Sequence, residues 1–341
     1  MSASGLDVSV LIPVYTRYSS VRELSLLKRA LDSAVDQEYP GSMEIVLVDD
    51  GCPTPIERFG ADLGSSASRI LWVRHEENLG LVAALNSGLS KASHPLIARL
   101  DADDCWRPGK MAAQLRQFAR DPDLTLSATG MTRVTPAGKV VDTHIRPASW
   151  DGVLEFFVRG GCPFPHGSVV ARKDVYRLLG GYSHDARVSH CEDYALWGVW
   201  IRFFKPAMVE QSLYEYTVSV TSVSSVHAEQ QERASGVVRD ILANSGVGAS
   251  LPVDLEKLAR ALGSSLFEAG VAAYLMWKNE RLVVDIPRGA IDAMERIMPD
   301  RHLARVGGPA QPWHEIVEQV VGCTAQRTNN DPLIAVRAAI A

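Results

Sequence analysis

The sequence predicts an α/β fold in which a mostly parallel sheet is flanked by helices and followed by a helical C-terminal region. Apolar, β-branched runs alternate with segments of helical spacing through the first half of the chain, and this alternation is typical of parallel strands joined by helices. The 341 residues are enough to bury a large core. After about residue 226 the composition shifts towards Ala, Leu, Arg and Glu with helical spacing.

These observations predict one domain over residues 1–225 and a helical C-terminal region over residues 226–341. The domain divides into a first half of about 1–120 and a second half of about 121–225, where the alternation loosens. No internal repeat is present. The helical region is predicted partly from the spacing of four leucines: Leu255, Leu258, Leu262 and Leu266.

The first half contains four predicted strands and three predicted helices. The strands are continuous apolar runs, typical of strands covered on both faces, and they lie at 8–15, 43–50, 70–75 and 95–104. Ser20 and Glu23 have the spacing of a capping box, which predicts the start of the first helix. The second helix is expected within 79–92. Pro108 is placed to begin the third, which runs through Phe118.

The second half predicts a hairpin at 124–141, with Pro-Ala-Gly in its turn. A short helix at 151–161 ends at two glycines. A strand followed by a short helix is expected over 168–182, and a further helix begins at Glu192 with two acidic residues in its first turn.

The composition excludes several classes of protein. A net charge of −5 provides no domain-wide positive field, which argues against a general nucleic-acid binder. The N-terminus lacks a signal-peptide pattern, and no apolar stretch is long enough to span a bilayer. The cysteines never form a C-x-x-C pair, which predicts buried free thiols and a reducing, cytoplasmic location. They are Cys52, Cys105, Cys162, Cys191 and Cys323.

Acidic residues cluster after the fourth predicted strand, in IARLDADDCW. Ligands of open parallel sheets bind beyond the carboxyl ends of the strands. Asp101 and Asp103 are two residues apart, so their side chains point the same way from an extended chain, and two such carboxylates suit Mg²⁺ or Mn²⁺. The alternative is a turn in which Asp103 and Asp104 bond backbone amides.

A second acidic tip follows the second predicted strand. Asp49 and Asp50 have carboxylates that can accept a hydrogen bond from a nucleobase N–H or a ribose hydroxyl, and Tyr15 can lie against that base. Turn formation at Asp50 is the alternative for this tip. Arg99 is expected to reach a diphosphate, or else to pair with Asp101. Neither G-x-G-x-x-G after the first strand nor a P-loop motif is present, so a dinucleotide oxidoreductase and a P-loop nucleotidase lose their main support.

With these residues in place, the chain resembles glycosyltransferase family 2, whose members have the Rossmann-like GT-A fold. The resemblance covers residues 8–200 and leaves out the last third. It is carried by six blocks: VSVLIPVYTRY, EIVLVDDGCPTP, NLGLVAALNSGL, IARLDADDCWRPGKMAAQ, HGSVVARKDVYRLLGGY and EDYALW.

The resemblance implies an inverting, metal-dependent, hexosyltransferase-like enzyme that moves a sugar from a nucleotide-diphosphate sugar, with a UDP-sugar favoured, to a hydroxyl acceptor. It implies Asp103 as the leading ligand of Mn²⁺ or Mg²⁺, with Asp101 supporting it and binding the donor. Asp49 would hold the nucleobase in a pocket shaped by Pro13 and Tyr15. The acceptor would be a saccharide, a lipid-linked saccharide or a metabolite.

On the acceptor side the resemblance implies Asp193 as the catalytic base, supported by Glu192. Spacing alone leaves an equal alternative, in which these two acids only complement the dipole of the helix they begin. His166 is expected to line the same cleft or to be a structural histidine.

Two positions depart from the family pattern. Leu85 stands where many members have an arginine that can contact phosphate, and Arg99 is the expected substitute. Ser219 stands where many have a histidine that can join the metal. The nearest histidine is His227, so the third metal ligand is predicted to be His227 or water.

Two other functions stay open from the sequence. The same carboxylates could serve a Mg²⁺-dependent phosphohydrolase or nucleotidyltransferase, although LIPVYTRY offers neither an Asp nucleophile nor a Gly-rich loop. A non-catalytic sugar-nucleotide-binding protein is the other. The apolar stretch 271–279 predicts core packing or a homo-oligomer contact through the C-terminal helices, with peripheral contact at the inner face of the membrane as the alternative.

Overall fold

A computed structural model describes residues 7–121, 124–218 and 227–244. The first half of the domain has the predicted alternation of strands and helices. Its main elements are β1 (Val8–Val14), α1 (Val21–Val35), β2 (Met43–Asp49), β3 (Ile70–Arg74), α2 (Leu81–Lys91), β4 (Leu96–Arg99), β5 (Cys105–Trp106) and α3 (Lys110–Arg120).

The first four strands form the predicted parallel half of the sheet, in the order β3-β2-β1-β4. β1 lies between β2 and β4 and is buried along its whole length, as its continuous apolar run predicted. Val10 and Ile12 face one hydrophobic cluster and Leu11 faces the other. The carboxyl ends of β1, β2 and β4 therefore lie side by side at one edge of the sheet.

The first helix begins as its sequence predicted, since Ser20 and Glu23 form a complete capping box. The third helix begins later than predicted, at Lys110 instead of Pro108. Gly109 lies between them with φ of 82°, in the left-handed region that glycine adopts without strain. Pro108 therefore belongs to the turn before the helix.

The second half of the domain adds antiparallel pairs, so the complete sheet is mixed. Its elements are β6 (Leu124–Val134), β7 (Val140–His144), α4 (Trp150–Val158), β8 (Val170–Arg172), α5 (Lys173–Leu178), α6 (Glu192–Phe203) and β9 (Lys205–Thr217). The path continues from β4 as β8-β6-β9-β5, with β7 paired to β6. β6 and β7 form the predicted hairpin. β5 and β9 were not predicted, and they complete the sheet beyond β6.

Two hydrophobic clusters cover the two faces of the sheet. One contains Leu27 and Leu31 of α1 with Met111 and Leu115 of α3. The other is built around Trp197 and Trp200 of α6 together with buried residues of α2, α4 and α5. Because α6 is fixed in this second cluster, its N-terminus is held at a defined place relative to the sheet.

Of the predicted C-terminal helical region, the structure describes α7 (Ala228–Asn244), which packs against α6. Ser219, the four leucines from Leu255 to Leu266 and the stretch 271–279 lie outside the described residues. The domain boundary at 225 stays a prediction. No helix in the described ranges is both long and apolar enough to cross a bilayer.

Candidate active site

The acidic residues after β4 form a turn with two different sides. Asp101 and Asp103 are partly exposed, whereas Asp104 is 0% exposed. Asp104 accepts hydrogen bonds from the Tyr214 hydroxyl and, at 2.6 Å, from the backbone N–H of Thr217. The turn thus presents the pair that was predicted to act together and buries the third carboxylate against β9.

Contacts with α1 and β9 hold this acidic turn in place. Arg29 of α1 donates from Nη2 to the carbonyl oxygen of Asp103 at 3.1 Å and to Oγ1 of Thr217 at 2.9 Å. The Thr217 hydroxyl also donates to the Asp103 carbonyl oxygen at 2.7 Å. The alternative prediction was that Asp103 and Asp104 bond backbone amides just before the next helix. The Asp104 carboxylate is instead bonded by Tyr214 and Thr217 of β9.

The charges in the turn are unevenly balanced. Arg99 is 1% exposed and its Nη2 is 2.6 Å from Oδ1 of Asp101, so it makes the ion pair that was one of its two predicted roles. Burial is the largest single influence and acts to raise the pKa of Asp101, but Arg99, His166 and Tyr214 together lower the pKa overall. Burial and then the negative charge of Asp101 raise the pKa of Asp103 to about 6. A cation beside Asp103 would relieve that repulsion.

The second acidic tip is tied into its own turn. The Asp49 carboxylate pairs with Arg74 and accepts the backbone N–H groups of Cys52 at 2.8 Å and Ile56 at 3.0 Å. Asp50 accepts the backbone N–H of Gly80, which precedes α2, at 2.9 Å. Both carboxylates are therefore buried and accept hydrogen bonds from backbone N–H groups. The turn role that was predicted as the alternative is part of this arrangement.

Residues of the β1 end border this tip. Pro13 is buried within β1, paired in register with Val48 of β2. Tyr15 follows β1 and is 47% exposed, so its ring is available to a planar ligand. Since β1 lies between β2 and β4, the exposed Tyr15 stands between the two acidic tips.

The acid pair predicted on the acceptor side occupies the first turn of α6. Burial, followed by the negative charge of Asp193, raises the pKa of Glu192 to about 7. Burial also raises the pKa of Asp193 to about 6, and the negative charge of Asp101 adds to it. The negative charge of Asp101 thus acts on Asp193, although the two residues come from different halves of the domain.

His166 is held by two aromatic neighbours. Its Nε2 is 2.7 Å from the Tyr182 hydroxyl and its ring meets the edge of Trp197. Burial, and then the nearby positive charge of Arg99, lowers the pKa of His166 to about 3, so the ring is neutral. Asn86 of α2 fixes Tyr182 through two backbone hydrogen bonds of 2.9 Å.

Three residues that contact the predicted site residues or one another were not predicted as functional. Tyr182, Asn86 and Tyr214 act through contacts between segments far apart in the chain. Asn86 and Tyr182 both lie in blocks that carry the family resemblance, and this was the available signal for them. Leu85, which replaces a family arginine, is buried in the core and makes no polar contact.

The ring of His227, the histidine predicted as a third metal ligand, stacks on the ring of His190, with centroids 3.9 Å apart. Within the described ranges, no three His, Cys, Asp or Glu side chains are grouped so that they could hold a metal ion. Asp101 and Asp103, the two carboxylates predicted to bind a cation, lie on the same turn and are both partly exposed.

The comparison with protein families gives one match over the domain. The sequence model described as Glycosyl transferase family 2 matches residues 9–177. Among curated relatives, the amylovoran biosynthesis glycosyltransferase AmsE of Erwinia amylovora is 32% identical over 189 residues, which are 55% of this chain and 67% of the relative.

A second relative and a solved structure agree with this match. The Escherichia coli protein named UDP-Gal:alpha-D-GlcNAc-diphosphoundecaprenol beta-1,3-galactosyltransferase is 27% identical over 58% of this chain and 68% of its own. The mannosyltransferase PcManGT of Pyrobaculum calidifontis, solved with GDP-Man and Mn²⁺, superimposes with a TM-score of 0.51 at 15% identity. That alignment covers 98% of this chain and 84% of the mannosyltransferase, and at this identity it shows a shared fold.

Proposed function

Because the chain belongs to glycosyl transferase family 2, we propose that it is an inverting, divalent-metal-dependent enzyme. It transfers a sugar from a nucleotide-diphosphate sugar to a hydroxyl group of an acceptor. The observation that carries this proposal is that the charge of Asp101 acts on Asp193 although the residues come from different halves of the domain, and we propose that both face one hollow. A donor held at the acidic turn therefore meets an acceptor held at the start of α6.

The acidic turn fits a divalent cation. Asp101 and Asp103 are the two carboxylates that would hold it. The pKa of Asp103 is raised by burial and then by repulsion from Asp101, and a cation would remove that repulsion. Mg²⁺ and Mn²⁺ suit sites with one or two carboxylates whose other positions are filled by substrate phosphate and water. When bound, the cation neutralises charge that develops on the leaving diphosphate. The contribution of His227 as a further ligand stays a prediction.

On the donor side we propose that Asp49, Pro13 and Tyr15 form the nucleobase pocket. The Asp49 carboxylate already accepts two backbone N–H groups and pairs with Arg74, but a carboxylate has about four lone-pair positions. The Cys52 thiol also hydrogen-bonds this carboxylate, and we propose that a base N–H takes the place of that weak contact. Asp50 holds the backbone before α2 and so shapes this pocket from behind. A UDP-sugar is favoured, in keeping with the donor in the name of the Escherichia coli relative.

On the acceptor side we propose that Asp193 is the general base. Its carboxylate takes the proton of the acceptor hydroxyl while that oxygen forms a bond to the anomeric carbon, and the bond from the anomeric carbon to the diphosphate oxygen breaks. Attack opposite the leaving group inverts the anomeric configuration. A pKa of about 6 keeps Asp193 ionised near neutral pH yet more basic than an ordinary aspartate. Glu192, whose pKa is raised to about 7, supports it.

The buried, neutral His166 and the ion-paired Arg99 contribute to the same hollow. Arg99 holds Asp101 in place at 2.6 Å, and we propose that it acts on the donor phosphates through Asp101 instead of touching them. We also propose that the enzyme works in the cytoplasm, at the inner face of the membrane when its acceptor is lipid-linked.

The first experiment measures donor binding and nucleotide release for UDP-, GDP- and dTDP-sugars, with Mn²⁺, with Mg²⁺ and with EDTA. We expect one nucleotide to bind and to be released only with the metal. For Asp193→Asn we expect donor affinity within about twofold of wild type and transfer lower by about 10² to 10⁴.

The matched control is Asp36→Asn, the same chemical change at an exposed position that follows α1. It should leave donor binding and transfer unchanged. Near-normal transfer by Asp193→Asn would assign the base to another residue, and metal-independent release would remove the cation from the proposal.

A further inference from the structure

The helix α7 packs against the element that carries the proposed general base. It follows the residues matched by the family model, which are 9–177. Ala234 and Val238 of α7 are buried in the same hydrophobic cluster as Tyr194 of α6. The family match therefore assigns α7 no role, whereas its packing joins it to the helix on which Asp193 lies.

The start of α6 has no capping side chain of its own. Its N-cap residue is Cys191, which makes no side-chain hydrogen bond to the first turn of the helix. The first backbone N–H groups of a helix have no partner within it, and a Ser, Thr, Asp or Asn at the N-cap normally bonds one of them. The Cys191 thiol is directed to α7 instead, where the carbonyl oxygen of Gln231 accepts it at 3.4 Å. Helix α7 thus contacts the residue at which α6 begins.

The residue before this N-cap has a backbone conformation that its surroundings must hold. His190 has a φ of 61°, in the left-handed region that residues with a Cβ adopt at a cost in free energy. Its ring stacks on the ring of His227, which directly precedes α7. The centroids are 3.9 Å apart, with an angle of 10° between the ring planes. The stack therefore ties the chain that enters α6 to the start of α7.

A second contact from α7 lies after the base in the chain. Tyr194 donates its backbone N–H to the Asp193 carboxylate at 2.7 Å, and its ring stacks on Phe157 with centroids 4.3 Å apart. Burial raises the pKa of Tyr194, while a hydrogen bond and the positive charge from Arg239 act in the opposite direction. The same guanidinium packs on Gly160, since a Cβ added there would lie 3.3 Å from its Nη1. Arg239 therefore contacts the residue whose N–H orients the base.

We propose that α7 positions the general base, with His227 and Arg239 as its two positioning residues. His227 acts through His190 and Arg239 acts through Tyr194, so the chain is held on both sides of the acid pair. Neither residue has to touch substrate or cation in this role. The proposal rests on the proposed function, because it concerns the orientation of the base assigned there to Asp193.

The test compares variants of the full chain in two assays that need no identified acceptor. Calorimetry with UDP and Mn²⁺ measures the donor side. Nucleotide release from a UDP-sugar, with water as the hydroxyl acceptor, gives kcat and the KM of the donor. We expect His227→Ala and Arg239→Met each to lower kcat by about tenfold to a hundredfold, because a base misplaced by about 1 Å loses rate on this scale. The Kd of UDP and the KM of the donor should stay within about twofold of wild type, since only the acceptor side is disturbed.

Conservative replacements distinguish positioning from other roles of the two residues. His227→Phe keeps a ring that can stack but has no nitrogen to bind a metal, so we expect kcat within about threefold of wild type and unchanged Mn²⁺ affinity. Arg239→Lys keeps the charge but loses the planar fork, so kcat should recover in part. The matched control for Arg239→Met is Arg233→Met, on the same helix with its side chain 84% exposed, and it should change none of these values.

Hydrogen exchange of backbone amides tests the positioning without turnover, and it decides the matter if water cannot replace the acceptor. The amides at 195–198 form the first backbone hydrogen bonds of α6, beginning with Ala195, which bonds the Cys191 carbonyl oxygen at 2.9 Å. We expect them to exchange about tenfold or more faster in His227→Ala and in Arg239→Met, with the amides of α3 unchanged. Faster exchange throughout the domain would mean general destabilisation and would contradict the proposal.

The outcomes also separate this proposal from the one before it. If Asp193→Asn releases nucleotide at the wild-type rate, the base assignment is wrong and the role of α7 falls with it. If Asp193→Asn is inactive while His227→Ala and Arg239→Met keep both kcat and slow exchange, only the role of α7 is refuted. A loss of kcat in His227→Phe together with weaker Mn²⁺ binding would make His227 a metal ligand and overturn its positioning role.

Discussion

At the residue scale, the acid pair that begins α6 holds charges that its surroundings disfavour. Asp193 has a pKa of about 6 and Glu192 one of about 7, in each case mainly because of burial. Such raised values accompany carboxylates that exchange protons near neutral pH. Helix-dipole complementation alone would favour the ionised form and lower the pKa, so the raised values show that burial outweighs the dipole at these two positions.

The raised pKa of Asp193 predicts a pH-dependent gain in stability for Asp193→Asn. Above about pH 6 the folded protein holds a carboxylate that is more easily ionised in the unfolded chain, whereas at pH 4 Asp193 is protonated in the folded protein and about half protonated in the unfolded chain. We expect the variant to be more stable by about 1 to 3 kcal/mol at pH 8 and by no more than about 0.5 kcal/mol at pH 4. Urea unfolding at the two pH values, in EDTA, measures this.

Asp36→Asn, exposed at the end of α1, is the control and should show no difference between the two pH values. If Asp193→Asn is as stable as wild type or less stable at pH 8, then ionised Asp193 does not destabilise the folded protein and the prediction is wrong.

Residue spacing singled out Asp101 and Asp103 as a pair at a strand end, whereas Asp193 was chosen over a helix-dipole role only through the family resemblance. Spacing was insufficient for Asp104 and Arg99. The first looked like one more acid of the turn, yet it is fully buried against β9. The second had two predicted roles, and only its burial decides for the ion pair with Asp101.

At the element scale, β9 supports the acidic turn from behind. Tyr214 and Thr217, near its end, supply both partners of the Asp104 carboxylate. The sequence did not predict this strand, because KPAMVEQSLYEYT alternates only weakly between apolar and polar residues. Its pairing with β6, across more than eighty residues of chain, depends on tertiary structure.

Tyr214→Phe tests this support. The change leaves an oxygen of the buried Asp104 carboxylate without its donor, so we expect a loss of about 1 to 3 kcal/mol in the free energy of unfolding. We also expect weaker Mn²⁺ binding, because Asp101 and Asp103 share the loosened turn. Urea unfolding and Mn²⁺ titration by water-proton relaxation measure the two effects.

Tyr18→Phe removes the same hydroxyl at a position that is 79% exposed, and it should change neither measurement. Unchanged stability of Tyr214→Phe would mean that Asp104 finds another donor and that β9 does not position the turn.

At the scale of the whole molecule, the strands of the first half of the domain were predicted from the sequence, whereas several strands of the mixed half were not. The parallel strands β1 to β4 carry long apolar runs, so their order of appearance and their edge of the sheet followed from the sequence. The mixed half brings together short or weakly patterned strands such as β5 and β8. The proposed site takes Asp101 and Asp103 from the first half and Asp193 from the second half. Its donor side was therefore easier to predict than its acceptor side.

Ligand binding should stabilise the whole domain if this hollow is the donor site. UDP and Mn²⁺ at about 100 times their Kd should add about 2.7 kcal/mol, which corresponds to roughly 5 to 10 °C in Tm for a domain of this size. EDTA should remove the part that depends on Mn²⁺. Asp103→Asn should abolish that part, whereas Asp36→Asn should keep it, and differential scanning fluorimetry reports all four conditions.

The hydrogen bond between Arg29 and Thr217 joins residues that are 188 positions apart. During synthesis, the acidic turn therefore cannot gain its rear supports until the chain has been translated through β9 and that strand has left the ribosome. A nascent chain that ends earlier can form the parallel strands but lacks the parts that orient its carboxylates. Activity is thus acquired late in biogenesis, and an incomplete product is unable to consume the donor.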